Sequence, residues 1–514
     1  MKQNIFKAII FDMSGSVISK IAFFLSSILI ARSLGSTGLG EYALIFSLIG
    51  IINTLIIMGT SGGLIRYFGE LRGEQNFFYI IKLIKEVFLL RIVIFSVISI
   101  FLVYFSGNIF EIFQLNYDIF IVNYILIYLV LQIPFEILQT YLTTHFQQKF
   151  VNALEVFLSF FHILVLYILY FTSLLNVKRL LLVILMILIF KLTIYLKHSK
   201  KLLFKNINNN QDTKKDKKYY HDLRIRFFKY SVIMFLISLG GGILAYRSDI
   251  YFISYFLGLG AVGYYSLVNN FIDGVFSMVS PKSTSAMYVS SMVEAYKKHG
   301  EKIFSKYFQK NVELIFLFTF PIAIGGSILS KNILQLIYGQ EYVGAANLFV
   351  MTFLIIAILR FAGAISSIFV TLEKPQYFMW TKILSIINIP LNIYLIPKFG
   401  INGALFATSL TTSLIIIIEY WLAKHLTNIT MPWLNISKIF ASSILMGLFI
   451  YIIQMITKNL TIFSLILSII IGALIYVLSI YKLKVIDEDY IDMIVKNKRI
   501  HYILSNLFKF VAAK

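Results

Sequence analysis

Long apolar runs, each about the length that crosses a lipid bilayer as a helix, recur along the whole of this 514-residue chain. Only 14% of the residues are charged and the mean hydropathy is +0.83, whereas soluble domains carry about 25% charged residues. A chain this apolar is expected to be an all-α polytopic membrane protein. The runs number fourteen and lie at 8–31, 41–65, 78–105, 119–144, 151–175, 179–196, 229–256, 262–290, 311–329, 343–371, 377–396, 401–423, 438–456 and 460–481.

Much of the net charge of +22 lies in three polar connections. Residues 197–229 carry eleven Lys and Arg, residues 291–310 carry five and the tail 482–514 carries seven, whereas the connections at 106–118 and 258–263 carry none. Short loops rich in Lys and Arg mark the cytoplasmic side of a membrane. The alternation predicts a cell-membrane protein with both termini cytoplasmic. It also favours anionic lipid headgroups over nucleic acid as the partner of the basic segments.

The sequence lacks the motifs of most metal, thiol and nucleotide enzymes. It has no cysteine, its seven histidines form no HExxH motif or close pair, and it has no Walker A motif. The predicted outer connections are short, which leaves little room for a catalytic domain. We therefore expect a transporter rather than an enzyme, with no metal or organic cofactor.

A short motif occurs twice, once in each half of the chain. The sequences "LGSTGLGEYAL" at 34–44 and "LGLGAVGYYSL" at 257–267 share Leu, Gly, Gly, Tyr and Leu at equivalent positions. Each copy joins the first and second spans of a six-span set. The shared glycines suit a tight turn between helices, and the shared tyrosines, Tyr42 and Tyr265, suit a membrane–water interface.

Two six-span sets have the same orientation, so they predict two lobes related by an axis along the membrane normal, with a central cavity between them. The predicted organisation is an N-lobe at 1–196, a basic cytoplasmic inter-lobe loop at 197–228, a C-lobe at 229–424, two accessory spans within 437–481 and a basic cytoplasmic tail at 482–514.

Four segments resemble the polysaccharide-export flippases of the multidrug/oligosaccharidyl-lipid/polysaccharide exporter superfamily. They are "RSLGSTGLGEYALIFSLIGIINTLIIMGTSGGLIRYFGE" (32–70), "RSDIYFISYFLGLGAVGYYSLVNNF" (247–271), "YGQEYVGAANLF" (338–349) and "LIPKFGINGALFAT" (395–408). Each motif is weak alone, but the four occur in the family's order. The resemblance covers roughly residues 1–480 and does not extend to the tail.

The resemblance implies a flippase that turns a polyprenyl-pyrophosphate-linked oligosaccharide, such as an O-antigen, capsule or teichoic acid repeat unit, across the cytoplasmic membrane. It implies alternating access, driven by a proton or sodium gradient, and membrane lipids and glycan polymerase or export machinery as partners. The alternatives are a cation-coupled multidrug exporter or a peptidoglycan-precursor flippase of the same superfamily, a membrane glycan polymerase or glycosyltransferase, and a non-transporting scaffold.

Seven charged residues fall near the middle of predicted spans, where one charge costs about 2.5–3.5 kcal/mol on insertion scales. Such residues are expected to line the cavity or to pair with one another. They are Lys20, Arg91, Glu136, Arg247, Asp249, Asp273 and Arg360.

Five cations are candidate contacts for the substrate. Lys20 would be a point charge for the pyrophosphate, and Arg66, at the cytoplasmic end of the second span, would meet it from the inner leaflet or act as a positive-inside anchor. Arg91 and Arg360 offer planar guanidinium groups to phosphate or pair between helices. Arg247 is the preferred phosphate or glycan contact of the second lobe.

Three carboxylates are candidate ion-coupling sites. Asp249 lies two residues after Arg247 in an apolar span and is either its electrostatic complement or the coupling site. Glu136 follows Pro134, which frees a backbone carbonyl, and either titrates there or serves packing. Asp273 lies in the middle of the eighth span.

Reporter fusions test the predicted orientation. A reporter placed within 197–228 or after residue 514 should be cytoplasmic, and one placed within 106–118 should be external, because Lys and Arg in short loops hold a loop inside. An external signal from either basic segment would overturn this topology.

Overall fold

The computed structural model describes residues 2–485 apart from 75, 117, 210–216, 242–247, 280–281, 373 and 458–460. Every regular element in this part of the chain is helical, as expected where backbone groups have no water to bond. The helices are α1 Lys2–Ile57, α2 Thr60–Gly73, α3 Phe77–Ile112, α4 Ile119–Thr144, α5 Gln148–Phe171, α6 Val177–Asn209, α7 Lys217–Ser238, α8 Ser248–Leu257, α9 Leu259–Val279, α10 Lys282–Ile328, α11 Ser330–Ile333, α12 Ala346–Leu359, α13 Ala362–Thr371, α14 Pro375–Ile383, α15 Asn388–Phe399, α16 Ile401–Thr427, α17 Trp433–Ile456 and α18 Ile462–Lys482.

Eleven stretches of helix within the described residues are long and apolar enough to cross a membrane. One of them, Ile18–Ile57, holds most of the first two predicted spans in a single kinked helix. The all-α membrane fold predicted from the sequence is confirmed, and the count of fourteen spans stays a prediction. Helices α6 and α7 extend into the predicted loop 197–228, and the tail beyond residue 485 lies outside the described part.

The repeated glycine motif forms the same turn twice. Gly35 interrupts α1 with φ 65°, and Gly258, its equivalent in the second copy, separates α8 from α9 with φ 82°. A positive φ of this kind favours glycine because a Cβ would meet the backbone. The tight turn predicted from the motif is therefore confirmed in both copies.

The two copies also pack on each other, through α1 and α9. A Cβ on Gly40 would overlap the carbonyl oxygen of Leu259, and a Cβ on Gly263 would overlap the carbonyl oxygen of Ser36. Ser36 and Leu259 occupy equivalent positions in the two copies of the motif, as do Gly40 and Gly263. One contact is thus made twice in opposite directions, which is how surfaces meet across a two-fold axis.

The chain divides into two compact units. The first holds Met1–Ser285 and Lys374–Ile418, and the second holds Ala286–Glu373 and Glu419–Lys514. The lobe bounds predicted from the repeat stay a prediction.

Within the second unit, the two accessory helices are fixed to α10 by polar bonds. The side-chain amide of Asn435, on α17, donates to Glu313 Oε1 at 2.7 Å, and the Tyr476 hydroxyl, on α18, donates to the Leu317 carbonyl at 2.6 Å. Lys310 lies 3.1 Å from the other carboxylate oxygen of Glu313. These bonds join α17 and α18 to the unit by more than apolar contact, which by itself holds helices together weakly in lipid.

Alanine substitutions at the two turn glycines should lower stability. Because L-residues disfavour a positive φ, Gly35→Ala and Gly258→Ala should each cost about 1–2 kcal/mol. The matched control is Gly107→Ala in α3, where no atom lies within 4 Å of the added Cβ and φ is not positive. It should be neutral or stabilising, since alanine is the better helix former. Thermal unfolding of the purified variants in the same detergent measures the order of their stabilities.

Candidate functional site

The carboxylate of Asp249 is fully buried and accepts four side-chain hydrogen bonds. Its Oδ1 accepts from the amide nitrogens of Asn388 at 2.9 Å and Asn392 at 2.7 Å. Its Oδ2 accepts from the hydroxyls of Tyr265 at 2.6 Å and Thr408 at 2.5 Å. We call these five residues the Asp249 site.

Four helices of the first unit build the Asp249 site. Asp249 lies in the first turn of α8, where the helix dipole favours a negative charge. Asn388 and Asn392 are one helical turn apart at the start of α15, so both project from one face of that helix. Tyr265 comes from α9 and Thr408 from α16. The site therefore forms only when these four helices pack together.

The four bonding partners are neutral, so none of them offsets the charge of the carboxylate. A buried ionised carboxylate is costly, and hydrogen bonds to neutral donors offset only part of that cost. The buried Oδ1 of Asn392 also has no hydrogen-bond partner among the residues that the structure describes. A proton or a cation at this point would both lower the charge and meet that oxygen.

The oxygens of the site match the preference of a small hard cation. A carboxylate, two amide oxygens and a hydroxyl are ligands of this kind, and each asparagine presents either its oxygen or its nitrogen by rotating the amide. A single carboxylate suits a monovalent charge. Within the described residues, no group of three or more His, Cys, Asp or Glu is placed to hold a metal ion.

A second polar cluster surrounds Arg91, whose side chain is fully buried. Its guanidinium donates to Thr60 Oγ1 at 2.8 and 3.0 Å and to Ser61 Oγ at 2.9 Å. Its Nη1 lies 3.6 Å from Glu136 Oε2. The other oxygen of Glu136 accepts from the amide of Asn53 at 2.8 Å. Helices α1 to α4 are thus joined through one ion pair.

The structure therefore brings two of the predicted site residues together. Arg91 and Glu136 form the interhelical pair that the sequence left open as the alternative to a ligand contact. In this conformation Arg91 is enclosed by protein groups, whereas the Glu136 side chain keeps 18% of its surface exposed.

Lys20, Arg66 and Asp273 lie on α1, α2 and α9. Lys20 is half-buried on α1, and its Nζ donates to the Ser277 carbonyl, near the end of α9, at 2.6 Å. Asp273 is exposed on α9, one turn before Ser277. Arg66 is exposed on α2, and its guanidinium carbon lies 4.9 Å from the centroid of the Tyr230 ring.

The remaining two predicted cations are Arg360 and Arg247. Arg360 is half-buried in the second unit, at the end of α12. Arg247 lies outside the described residues.

The partners of Asp249 were missed by sequence reasoning. Tyr265 is 1% exposed and its hydroxyl donates to Asp249, a contact that the repeated motif did not predict. Its expected position at a membrane–water interface stays a prediction. The signal for the asparagines was their spacing in "NIPLN" inside an apolar run. Two amides one helical turn apart predict a polar face on the helix. The carboxylate that they bond, Asp249, lies far earlier in the chain, so a local sequence pattern could not predict the contact.

Comparison with known proteins identifies the family. A family model described as a polysaccharide biosynthesis protein matches residues 5–288, more than half of the chain. The chain belongs to this family, as its motifs predicted. An uncharacterized membrane protein, MJ1068, from Methanocaldococcus jannaschii is 28% identical over 284 residues, which make up 52% of this chain and 54% of that protein. The chain therefore spans about half the length of this curated relative.

Solved structures show the same fold. The lipid II flippase MurJ, in an inward closed conformation, matches with a TM-score of 0.67 and 18% identity over 91% of this chain and 98% of MurJ. An inward-facing multidrug resistance MATE transporter matches with a TM-score of 0.62 and 12% identity over 80% and 94%. A transporter of the same superfamily from Pyrococcus furiosus matches with a TM-score of 0.55 and 11% identity over 82% and 96%. The chain has the fold of this superfamily.

Removing one member of the buried ion pair should destabilise the protein more than removing both members. Glu136→Gln leaves Arg91 uncompensated, and we expect a loss of about 3–5 kcal/mol. The double variant Arg91→Met with Glu136→Gln should recover part of that loss. Thermal unfolding in detergent compares the stability of the wild type, the single variant and the double variant.

The matched control is Asp118→Asn, which breaks an exposed pair with Lys178 at 2.7 Å, in the connection before α4. Because solvent screens such pairs, this change should cost less than about 1 kcal/mol. Equal losses for Glu136→Gln and Asp118→Asn would contradict the assignment of a buried pair.

Proposed function

We propose that this protein is a flippase that moves a polyprenyl-pyrophosphate-linked oligosaccharide across the cytoplasmic membrane. The observation that carries the proposal is a chain of the polysaccharide biosynthesis family folded like MurJ and the MATE transporters. The cargo has a charged head on an apolar tail, and the membrane interior opposes its passage. A protein that binds the head within the membrane removes that barrier without making or breaking a covalent bond.

Arg66 is the proposed first contact of the pyrophosphate. With the termini in the cytoplasm, α2 ends at the inner leaflet, where the lipid-linked substrate is made. The side chain is exposed, and the faces of Tyr230 and Tyr67 hold its guanidinium at 4.9 and 5.7 Å from the ring centroids. Stacking of this kind leaves the N–H groups in the guanidinium plane for phosphate oxygens. Lys20, Arg247 and Arg360 are proposed as contacts later in the passage.

The Asp249 site is the proposed coupling site for a proton or Na⁺. Its buried carboxylate accepts from four neutral side chains in the contacts given above, and the neighbouring amide oxygen of Asn392 bonds nothing within the described part of the chain. Binding of one positive charge would stabilise the packing of α8, α9, α15 and α16. Because bound and unbound states then favour different packings of these helices, an ion gradient can bias the transport cycle.

Leaflet analysis tests the flippase proposal. In cells depleted of the protein, the lipid-linked oligosaccharide should accumulate on the inner leaflet, and restoring the wild-type chain should return it to the outer leaflet. An unchanged distribution would overturn the proposal. Rescue of lipid II movement instead would identify a peptidoglycan-precursor flippase, and rescue of drug efflux alone would identify a multidrug exporter.

Substitutions in α16 test the coupling proposal. Thr408→Val removes a hydroxyl of the Asp249 site, and we expect gradient-driven transport in vesicles to fall about tenfold, the effect of roughly 1.4 kcal/mol. Thr411→Val is the matched control, because Thr411 is buried on the same helix, one turn from Thr408, but its hydroxyl bonds nothing within the described part of the chain. It should transport at the wild-type rate.

Asp249→Asn separates coupling from folding. The amide fills the same volume without a buried charge, so the variant should be at least as stable as wild type while losing its dependence on the Na⁺ or proton gradient. Wild-type gradient dependence in Asp249→Asn would exclude this carboxylate as the coupling site and would leave the flippase proposal standing. Varying Na⁺ at fixed pH, and pH at fixed Na⁺, distinguishes the two ions.

A further inference from the structure

A charged pair that sequence reasoning missed joins α5 to α6. The ammonium of Lys191 donates to Glu155 Oε2 at 2.7 Å. Both residues lie within helices long and apolar enough to cross a membrane, where one charge costs about 2.5–3.5 kcal/mol on insertion scales. A charge kept in such a place is a candidate functional group, because an apolar residue would insert without this cost.

Glu155 lies on the side of α5 that faces away from lipid. Phe157, Phe160 and Leu164 are each more than half exposed, which identifies the lipid-facing side of this helix. With 3.6 residues per turn, these three side chains lie roughly 140–200° around α5 from Glu155. The Glu155 side chain nevertheless keeps 31% of its surface exposed. Its carboxylate is therefore open to a ligand that approaches from the side away from lipid.

Lys191 occupies the corresponding side of α6. Leu182, Met186 and Ile189 are exposed. They also lie roughly 140–200° around the helix from Lys191, whose side chain is 19% exposed. The two charged groups therefore meet on the sides of both helices that face away from lipid, and both remain accessible.

Two buried polar groups adjoin the pair. His162, two turns after Glu155 on α5, lies within electrostatic reach of Lys191. Tyr195, one turn after Lys191 on α6, lies within electrostatic reach of Glu155. The His162 Nε2 and the Tyr195 hydroxyl are buried and bond nothing within the described part of the chain. We call Glu155, His162, Lys191 and Tyr195 the α5–α6 site.

The balance of charge in the α5–α6 site suits a neutral ligand. Lys191 compensates Glu155, so the pair attracts neither a phosphate nor a cation by net charge. No group of three or more His, Cys, Asp or Glu is placed to hold a metal ion in the residues that the structure describes. The site thus differs from Arg66, an exposed cation, and from Asp249, which accepts from neutral side chains.

The donors and acceptors of the α5–α6 site match the hydroxyl groups of a sugar. A carboxylate only accepts, an ammonium only donates, and a hydroxyl does both. Neighbouring hydroxyls of a sugar ring can therefore bond Glu155 and Lys191 side by side, and hydrogen bonds to charged groups are the stronger kind. A buried polar group without a partner costs about 1–3 kcal/mol. A sugar would also supply the hydrogen bonds that His162 and Tyr195 lack within the described residues.

We propose that the α5–α6 site binds the sugar part of the lipid-linked substrate and selects which glycan is moved. This inference rests on the proposed flippase function. The pyrophosphate is common to all polyprenyl-pyrophosphate-linked substrates, so the cations that bind it give affinity without selection. A site that bonds particular hydroxyls does select, because a sugar that lacks one of them leaves a polar group of the site unpaired.

Tyr195→Phe tests the α5–α6 site without altering its charge. We expect the purified full-length variant to bind lipid-linked oligosaccharide extracted from the source cells about tenfold more weakly than wild type, through loss of one hydrogen bond to the sugar. Its affinity for polyprenyl pyrophosphate, which carries no sugar, should not change. The matched control is Tyr124→Phe on α4, since the Tyr124 hydroxyl is also buried and bonds nothing within the described residues. It should leave both affinities at their wild-type values.

An exchange of charges distinguishes sugar binding from helix packing. Glu155→Lys with Lys191→Glu keeps an ion pair between α5 and α6 but exchanges the donor and the acceptor. This exchange variant should unfold near the wild-type temperature and bind the lipid-linked oligosaccharide about tenfold or more weakly, with unchanged affinity for polyprenyl pyrophosphate. The matched control is Lys178→Gln, which removes the partner of Asp118 in another 2.7 Å pair of α6. It should leave both affinities unchanged.

Two outcomes would overturn the inference. One is wild-type affinity for the lipid-linked oligosaccharide in either Tyr195→Phe or the folded exchange variant. The other is equal weakening toward both lipids, because the site would then not distinguish the sugar. If the exchange variant does not fold, Tyr195→Phe decides alone. Failure of the flippase proposal is distinct, since the wild-type chain would then fail to move the lipid-linked oligosaccharide between the leaflets of proteoliposomes.

Discussion

The close approach of backbone to backbone between the two repeats is the contact on which the first unit of this protein depends. Gly40 and Gly263 let α1 and α9 touch through their main chains, each against a carbonyl of the other repeat. Lipid surrounds such helices and is as apolar as they are, so nothing but close packing and polar bonds can hold them together. The same two repeats meet a second time at Gly63 of α2, where a Cβ would lie 2.6 Å from the Phe227 ring and the Ser231 hydroxyl of α7. The glycines therefore decide where the repeats meet and how closely they approach.

The first unit contains two buried charged side chains, Arg91 and Asp249, whose surroundings differ. Arg91 lies 3.6 Å from the carboxylate of Glu136 and donates to the hydroxyls of Thr60 and Ser61, so this cluster pairs opposite charges and joins α2, α3 and α4. Asp249 accepts from neutral donors, and the nearby amide oxygen of Asn392 has no partner among the described residues. A paired charge stabilises a fixed arrangement, whereas an anion among neutral groups responds to the arrival of a proton or a cation. This difference supports a structural role for the Arg91 cluster and the coupling role that we propose for the Asp249 site.

The repeated motif shows what a local sequence pattern can predict and what it cannot. The repeated motif predicted matching turns, and Gly35 and Gly258 form them, because a turn depends on the φ angle of one residue. The same pattern did not predict the hydrogen bond from the Tyr265 hydroxyl to the buried carboxylate of Asp249. A tyrosine in an apolar run fits several environments, and only the position of α9 against α8 gives it this partner.

The sequence by itself determined the class of this protein: apolar runs of bilayer length allow only helices, and the motifs place the chain in the polysaccharide biosynthesis family. It also determined which residues carry charge into the membrane. The tertiary structure alone decided which of those charges are paired, because Arg91 and Glu136 lie on different helices, and Asp249 and Asn388 are distant from each other along the chain. Pairing depends on which helices become neighbours. That choice is made by packing over the whole unit, and no short stretch of sequence contains it.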